Sequence, residues 1–132
     1  MKKGFVCGAW DLLHAGHILL LEECASRCDY LLVGLHVDPS IERKDKNKPI
    51  QSVYERMTQL KGCAYVSGLV IYETEKELET ILNSSDIDVR FLGSDYDNDK
   101  DKEITDINAV EIEIIDRHHN YSSTELKERI RK

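Results

Sequence analysis

Short apolar runs that alternate with helix-like stretches restrict this chain more than any other feature. Lys3–Gly8 (KGFVCG) reads as a short buried strand, and Tyr30–Val37 (YLLVGLHV) is almost continuously apolar, as expected of a parallel strand covered on both faces. Tyr65–Tyr72 and Val89–Leu92 read as the third and fourth strands. Between the runs lie helix patterns over 16–28, from Ser52 onward, and over 75–84; in the first, Ile18, Leu19, Leu21 and Cys24 form the apolar stripe. Ser52 and Glu55 make an S-x-x-E capping pattern, in which each side chain satisfies a free backbone N–H at a helix start. Ala109–Ile115 alternates polar with apolar, which predicts a fifth strand with one exposed face. Ser122 and Glu125 repeat the cap before a last helix. The order strand, helix, strand, helix, strand, helix, strand, strand, helix predicts an α/β fold. We expect a Rossmann-like, doubly wound sheet of about five mostly parallel strands, with helices on both faces and right-handed crossovers. No repeat or boundary interrupts the pattern, so the 132 residues are expected to form one domain with a core of its own.

A net charge of −7 makes nucleic acid and anionic membranes poor default partners. Against that background the basic cluster Arg43, Lys44, Lys46 and Lys48 stands out. It lies in the polar stretch Asp38–Gln51, and a loop of that length in a small chain is usually functional. No apolar run approaches the ~20 residues that span a bilayer. The start MKKGFVCGAW lacks an extended apolar region, so a cytoplasmic location is expected. Cys7, Cys24, Cys28 and Cys63 include no CxxC pair and read as reduced thiols rather than zinc ligands.

In sheets of this kind, ligands gather beyond the carboxyl ends of the strands, where the strand order reverses. The loop after the first strand reads Gly8-Ala9-Trp10-Asp11-Leu12-Leu13-His14-Ala15-Gly16-His17. It is neither GxGxxG nor a P-loop, which leaves hydride transfer and Walker-type ATP hydrolysis without support. Instead it sets two imidazoles three residues apart, flanking a glycine, where a helix begins. Residues so spaced point the same way. The glycine lets a phosphate approach the backbone, and the helix start adds N–H donors and partial positive charge. These are the means of phosphoryl or nucleotidyl transfer, which depends on positioning and electrostatics.

The segment GAWDLLHAGH resembles the G-x-F-D-x-x-H-x-G-H signature of the cytidylyltransferase-like nucleotidyltransferase family. The similarity covers nearly the whole chain and is greatest to the glycerol-3-phosphate cytidylyltransferases. It implies transfer from CTP to glycerol 3-phosphate or a similar phosphorylated small alcohol, with pyrophosphate released. It also implies Mg²⁺ accompanying the triphosphate, and a homodimer. By the resemblance His14 and His17 stabilise the pentacoordinate state at the α-phosphorus, in a nucleotide-binding loop of Gly8, Ala9, Trp10, Asp11 and Gly16. Asp11 would support that loop or the acceptor and metal side. Lys44 and Lys46 fall where the family places a lysine contacting both substrates, Lys44 being the catalytic choice. Arg56 matches an arginine that reaches toward the acceptor. The family's R-T-E-G-I-S-T-[ST] motif corresponds to Arg117–Thr124. There Arg117 would act in catalysis, and Tyr121, Ser122 and Ser123 would bind nucleotide. His118 and His119 read as solvent or acceptor contacts. Gly93-Ser94-Asp95-Tyr96 matches a G-x-D-[WY] segment and puts Asp95 near the nucleotide. His36, ending the second strand, is a further candidate. The family's R-Y-V-D-E-V segment, which helps recognise cytosine, reads Ala64-Tyr65-Val66-Ser67-Gly68-Leu69, without its arginine or aspartate. Adenylyl transfer from ATP to a sugar phosphate or flavin phosphate therefore stays open, as does a nucleotide-binding regulatory protein without turnover.

Overall fold

The strand that carries the signature loop lies at the centre of the sheet. The computed structural model describes residues 1–84, 86–93, 110–116, 119 and 121–131. Its elements are β1 (Lys3–Gly8), α1 (Ala15–Ser26), β2 (Tyr30–His36), α2 (Val53–Lys61), β3 (Gly68–Tyr72), α3 (Glu75–Ser84), β4 (Val89–Gly93), β5 (Glu111–Ile115) and α4 (Ser123–Arg131). The five strands run in the order β3-β2-β1-β4-β5. Every neighbouring pair is parallel, with Phe5 opposite Leu32 on one side and Arg90 on the other. The order reverses between β1 and β4, so the loop after β1 opens at the switch point.

Two hydrophobic layers explain why buried strands of this composition form the sheet. Val6, Leu31, Val33, Leu35, Val89 and Phe91 pack with Leu21 and Cys24 of α1 and Leu60 of α2. Phe5, Leu32 and Tyr72 pack with Leu78 and Leu82 of α3, and with Ile87. Adjacent residues of one strand thus serve opposite layers, and helices cover both faces of the α/β sheet as expected. The helix from Ser52 begins as read: Ser52 Oγ accepts from Glu55 N at 3.1 Å, and Glu55 Oε1 accepts from Ser52 N at 2.9 Å. At α4, Ser122 Oγ accepts from Glu125 N at 3.0 Å. That helix buries none of its residues.

β3 is shorter than its apolar run. It starts at Gly68, where a Cβ would stand only 2.1 Å from the Tyr30 hydroxyl. Ahead of it Ser67 exchanges hydrogen bonds with Leu31: Ser67 N donates to Leu31 O, and Ser67 Oγ accepts from Leu31 N, both at 3.0 Å. The four cysteines are free thiols. Burial, with a smaller contribution from Cys28, pushes Cys24 up to about 12, which fits a core residue and not a thiolate ligand. Among the described residues, no helix is long and apolar enough to cross a membrane.

Candidate active site

The loop between β1 and α1 follows a backbone path that side chains resist. Trp10 and Leu12 have φ of 55° and 52°, in the left-handed region, at a cost of roughly 1–3 kcal/mol each. Neighbouring groups fix that path. Trp10 is buried, and its indole N–H donates to Gly34 O at 2.9 Å. The Asp11 carboxylate accepts from Ile50 N and Gln51 N, each at 2.9 Å. Gln51 Oε1 in turn accepts from Leu12 N at 2.8 Å. Asp11 therefore supports the loop, with both carboxylate oxygens engaged by backbone. Trp10 acts as its anchor in the core.

The two signature histidines cap α1 with each other. His14 Nδ1 accepts from Gly16 N at 3.0 Å, and His17 Nδ1 accepts from His14 N at 3.2 Å. This is the reciprocal geometry of a capping box, built from imidazoles instead of a hydroxyl and a carboxylate. The rings stack, with centroids 3.9 Å apart and 27° between planes, and the Trp10 ring meets His17 edge-on at 5.5 Å. A ring nitrogen that accepts carries no proton, so in each ring the N–H is on Nε2. Burial first, then the adjacent His14, lowers His17 to about 3 against an upward pull from Asp11. At neutral pH His17 is thus an uncharged N–H donor. The pair offers directed hydrogen bonds, backed by a helix start, to an oxygen that gains negative charge.

These rings line a cavity of about 580 Å³, a volume in the range of small-molecule sites. Gly8, Ala9, Trp10, Asp11, His14, Gly16 and His17 form one part of its wall. Tyr121, Ser122 and Ser123 line it as well, as do Lys46 and His36. The Ser123 hydroxyl donates to Asp11 O at 3.1 Å, joining the start of α4 to the signature loop. Arg117 and Asp95 fall outside the described residues, as do Tyr96 and His118.

Three of the expected features stand apart from the cavity wall. Lys44 is exposed and absent from the cavity wall, whereas Lys46 and Lys48 line it. A turn, with Lys46 N donating to Arg43 O at 3.1 Å, brings Lys46 round toward the site. Arg56 does not reach toward an acceptor. It is 2% exposed, and its guanidinium donates to the carbonyls of Ala9, His36, Val37, Gln51 and Ser52 at 2.7–3.3 Å. Finally, none of residues 64–69 lines the cavity; Ser67 is bonded to Leu31 and Gly68 begins β3.

The cavity also holds one residue that the sequence reading passed over, Arg90, beside two histidines that it weighed, His36 and His119. Arg90 of β4, 1% exposed, lines it and directs Nη2 at Cys7 Sγ, 3.4 Å away. A lone charge inside the run VRFL was its signal, since burying a guanidinium is costly without partners. His36 stacks on Tyr72 at 4.6 Å, and burial lowers its pKa. His119 reaches Gly16: a Cβ there would stand 2.8 Å from His14 Cε1 and 2.9 Å from His119 Cε1. Gly16→Ala should therefore displace one ring or the other and lower turnover by roughly 10²-fold, as misplacement by about 1 Å can. A steady-state assay of the folded variant checks this, and wild-type turnover would show that the rings tolerate displacement.

Comparison with known proteins adds kinship to this geometry. The cytidylyltransferase-like family model matches residues 5–129. The chain is 40% identical over 100 residues to the Bifunctional protein HldE of Paramagnetospirillum magneticum, a match that covers 75% of this chain and 20% of that protein. Against the Bifunctional protein HldE of Campylobacter jejuni (strain RM1221) it is 32% identical over 132 residues, covering 98% of this chain and 28% of that one. The matches thus span 20% to 28% of the length of these relatives. Among solved structures, a lipopolysaccharide core biosynthesis protein from Thermoplasma volcanium superposes with a TM-score of 0.71 at 22% identity, covering 92% of this chain and 99% of that one. A pantoate-beta-alanine ligase from Francisella tularensis, complexed with beta-gamma ATP and beta-alanine, superposes with a TM-score of 0.58 at 16% identity, covering 96% and 67% of the two chains. Both share the fold.

Proposed function

Because the chain belongs to the cytidylyltransferase-like family of nucleotidyltransferases, we propose that it transfers an adenylyl group from ATP to the phosphate of a small sugar, releasing pyrophosphate. The observation that carries the transfer chemistry is the stacked His14–His17 pair capping α1 on the cavity wall. The acceptor phosphate is already ionised near neutral pH, so it needs no general base. Its oxygen attacks the α-phosphorus in line, and the ring N–H groups and the helix start meet the charge that builds there. Kinship with the HldE proteins over nearly the whole chain favours ATP and a sugar phosphate over CTP and glycerol 3-phosphate. Lys46, on the cavity wall, takes the role of the loop lysine.

Mg²⁺ belongs to this proposal as the triphosphate's own counter-ion. The described residues supply no cluster of three or more His, Cys, Asp or Glu able to hold a metal, and both Asp11 oxygens are used by backbone. The test is pyrophosphate release measured with each of the four triphosphates against sugar phosphates, glycerol 3-phosphate and a flavin phosphate. ATP with a sugar phosphate should give the highest kcat/KM. A clear preference for CTP with glycerol 3-phosphate would reverse the substrate reading. Triphosphate binding without release from any pair would point to a regulatory protein.

A further inference from the structure

Three imidazoles, not two, meet at Gly16. His14 and His119 approach its bare face to 2.8 and 2.9 Å of where a Cβ would stand, and His17 stacks on His14. His119 arrives from the segment ahead of α4 and lines the same cavity. Tyr121 helps to fix its ring. Nδ1 accepts from Tyr121 N at 3.1 Å, and the ring stacks on that of Tyr121 with centroids 5.2 Å apart and 26° between planes. An accepting Nδ1 leaves the ring's N–H on Nε2, as in His14 and His17.

We infer that His119 is a further catalytic residue, donating its Nε2–H to the pyrophosphate side of the bond that breaks. The inference rests on the nucleotidyl transfer proposed above. His14 and His17 cap the start of α1, while Ser122 and Ser123 begin α4, and the Ser123–Asp11 hydrogen bond holds the two starts together. His119 stands between them. A triphosphate lying across both helix starts has its α-phosphorus at one and its outer phosphates at the other. In the transfer, the acceptor oxygen forms a bond to the α-phosphorus. The bond from that phosphorus to the bridging oxygen breaks, and its electron pair stays on the oxygen, now part of pyrophosphate. No proton leaves His119; its hydrogen bond strengthens as the oxygen gains charge, which lowers the barrier without tightening the ground state to the same degree.

The test uses the whole chain and whichever triphosphate and acceptor it turns over best. His119→Phe keeps an aromatic ring against Tyr121 and Gly16 but has no donor. It should lose about 10²–10³-fold in kcat, with the triphosphate KM within a few-fold of wild type. His119→Gln, which can present an amide N–H in the region of Nε2, should recover at least about tenfold of that loss, a rescue that a purely structural role would not give. Thermal melts establish that both variants fold, and if the Phe variant does not, the Gln variant and His119→Asn decide. Wild-type kcat in His119→Phe overturns the inference alone. A wild-type chain that turns over no donor–acceptor pair overturns the transfer reading, and this inference with it.

Discussion

His17→Ala is expected to lower kcat by about 10²–10³, the usual effect of removing one preorganised donor from a developing oxyanion. Triphosphate affinity should change far less, because the cavity wall and both helix starts remain. The ring also caps α1 through His14 N, so loss of a cap adds about 1 kcal/mol of destabilisation. His17→Glu separates the two effects. A glutamate at that position can accept the same backbone N–H, as in an ordinary capping box, but has no N–H to donate. It should restore the melting temperature while leaving the kcat deficit. His14→Ala should behave like His17→Ala. Near-wild-type turnover in either alanine variant would remove these rings from the chemistry.

The lowered pKa of His17 has two consequences for pH. The folded chain keeps this ring neutral down to about pH 3, whereas an ordinary histidine takes up its proton near 6.5. Between those values the unfolded state binds more protons. Stability should therefore fall as pH drops through that window, by at most about 1.4 kcal/mol per pH unit from this group, and be unaffected by it above 6.5. His17→Ala should flatten that slope in urea unfolding measured across the window. The kcat profile should show no limb from His17 near neutrality.

The second large effect is expected at a residue outside the cavity. Arg56→Ala should cost about 3–5 kcal/mol, because it strips five backbone carbonyls of a buried, charged donor at once. Those carbonyls belong to the signature loop, the end of β2 and its continuation, and the start of α2. The guanidinium thus joins three segments that together position the site. Arg56→Lys should recover only part of the loss, since an ammonium cannot span the fork. Urea unfolding measures both. If Arg56→Ala unfolds within 1 kcal/mol of wild type yet loses acceptor affinity, the arginine serves the substrate after all.

These two residues mark what the sequence made legible. Strands, caps and the histidine pair are local patterns: a buried parallel strand must be an apolar run, and Ser52 with Glu55 or His14 with His17 meet within one turn. Arg56 sits one residue beyond a recognisable cap and looks like a surface charge. Its acceptors are backbone carbonyls, which leave no trace in residue type. Lys44 and Lys46 share a polar stretch without periodicity, and only the Arg43–Lys46 turn distinguishes which faces the cavity. His118 and His119 are alike as residue types, so nothing in their order shows that the second closes on Gly16. Residues 64–69 are a different case: their missing arginine and aspartate kept ATP open as the donor, which is the donor proposed above, while their hydrogen bonds lead into β3.

The central place of β1 has a consequence for how the chain is made. Of the five strands it is the first synthesised, and β2 can zip onto one flank soon afterwards. Its other flank must wait for β4, with Gly4 meeting Val89 across most of the sequence. Until then a half-sheet presents an open edge beside an apolar layer, the kind of surface that slows refolding and invites aggregation. The same delay applies to catalysis: a nascent chain owns both signature histidines long before it has α4, whose start is bonded to their loop.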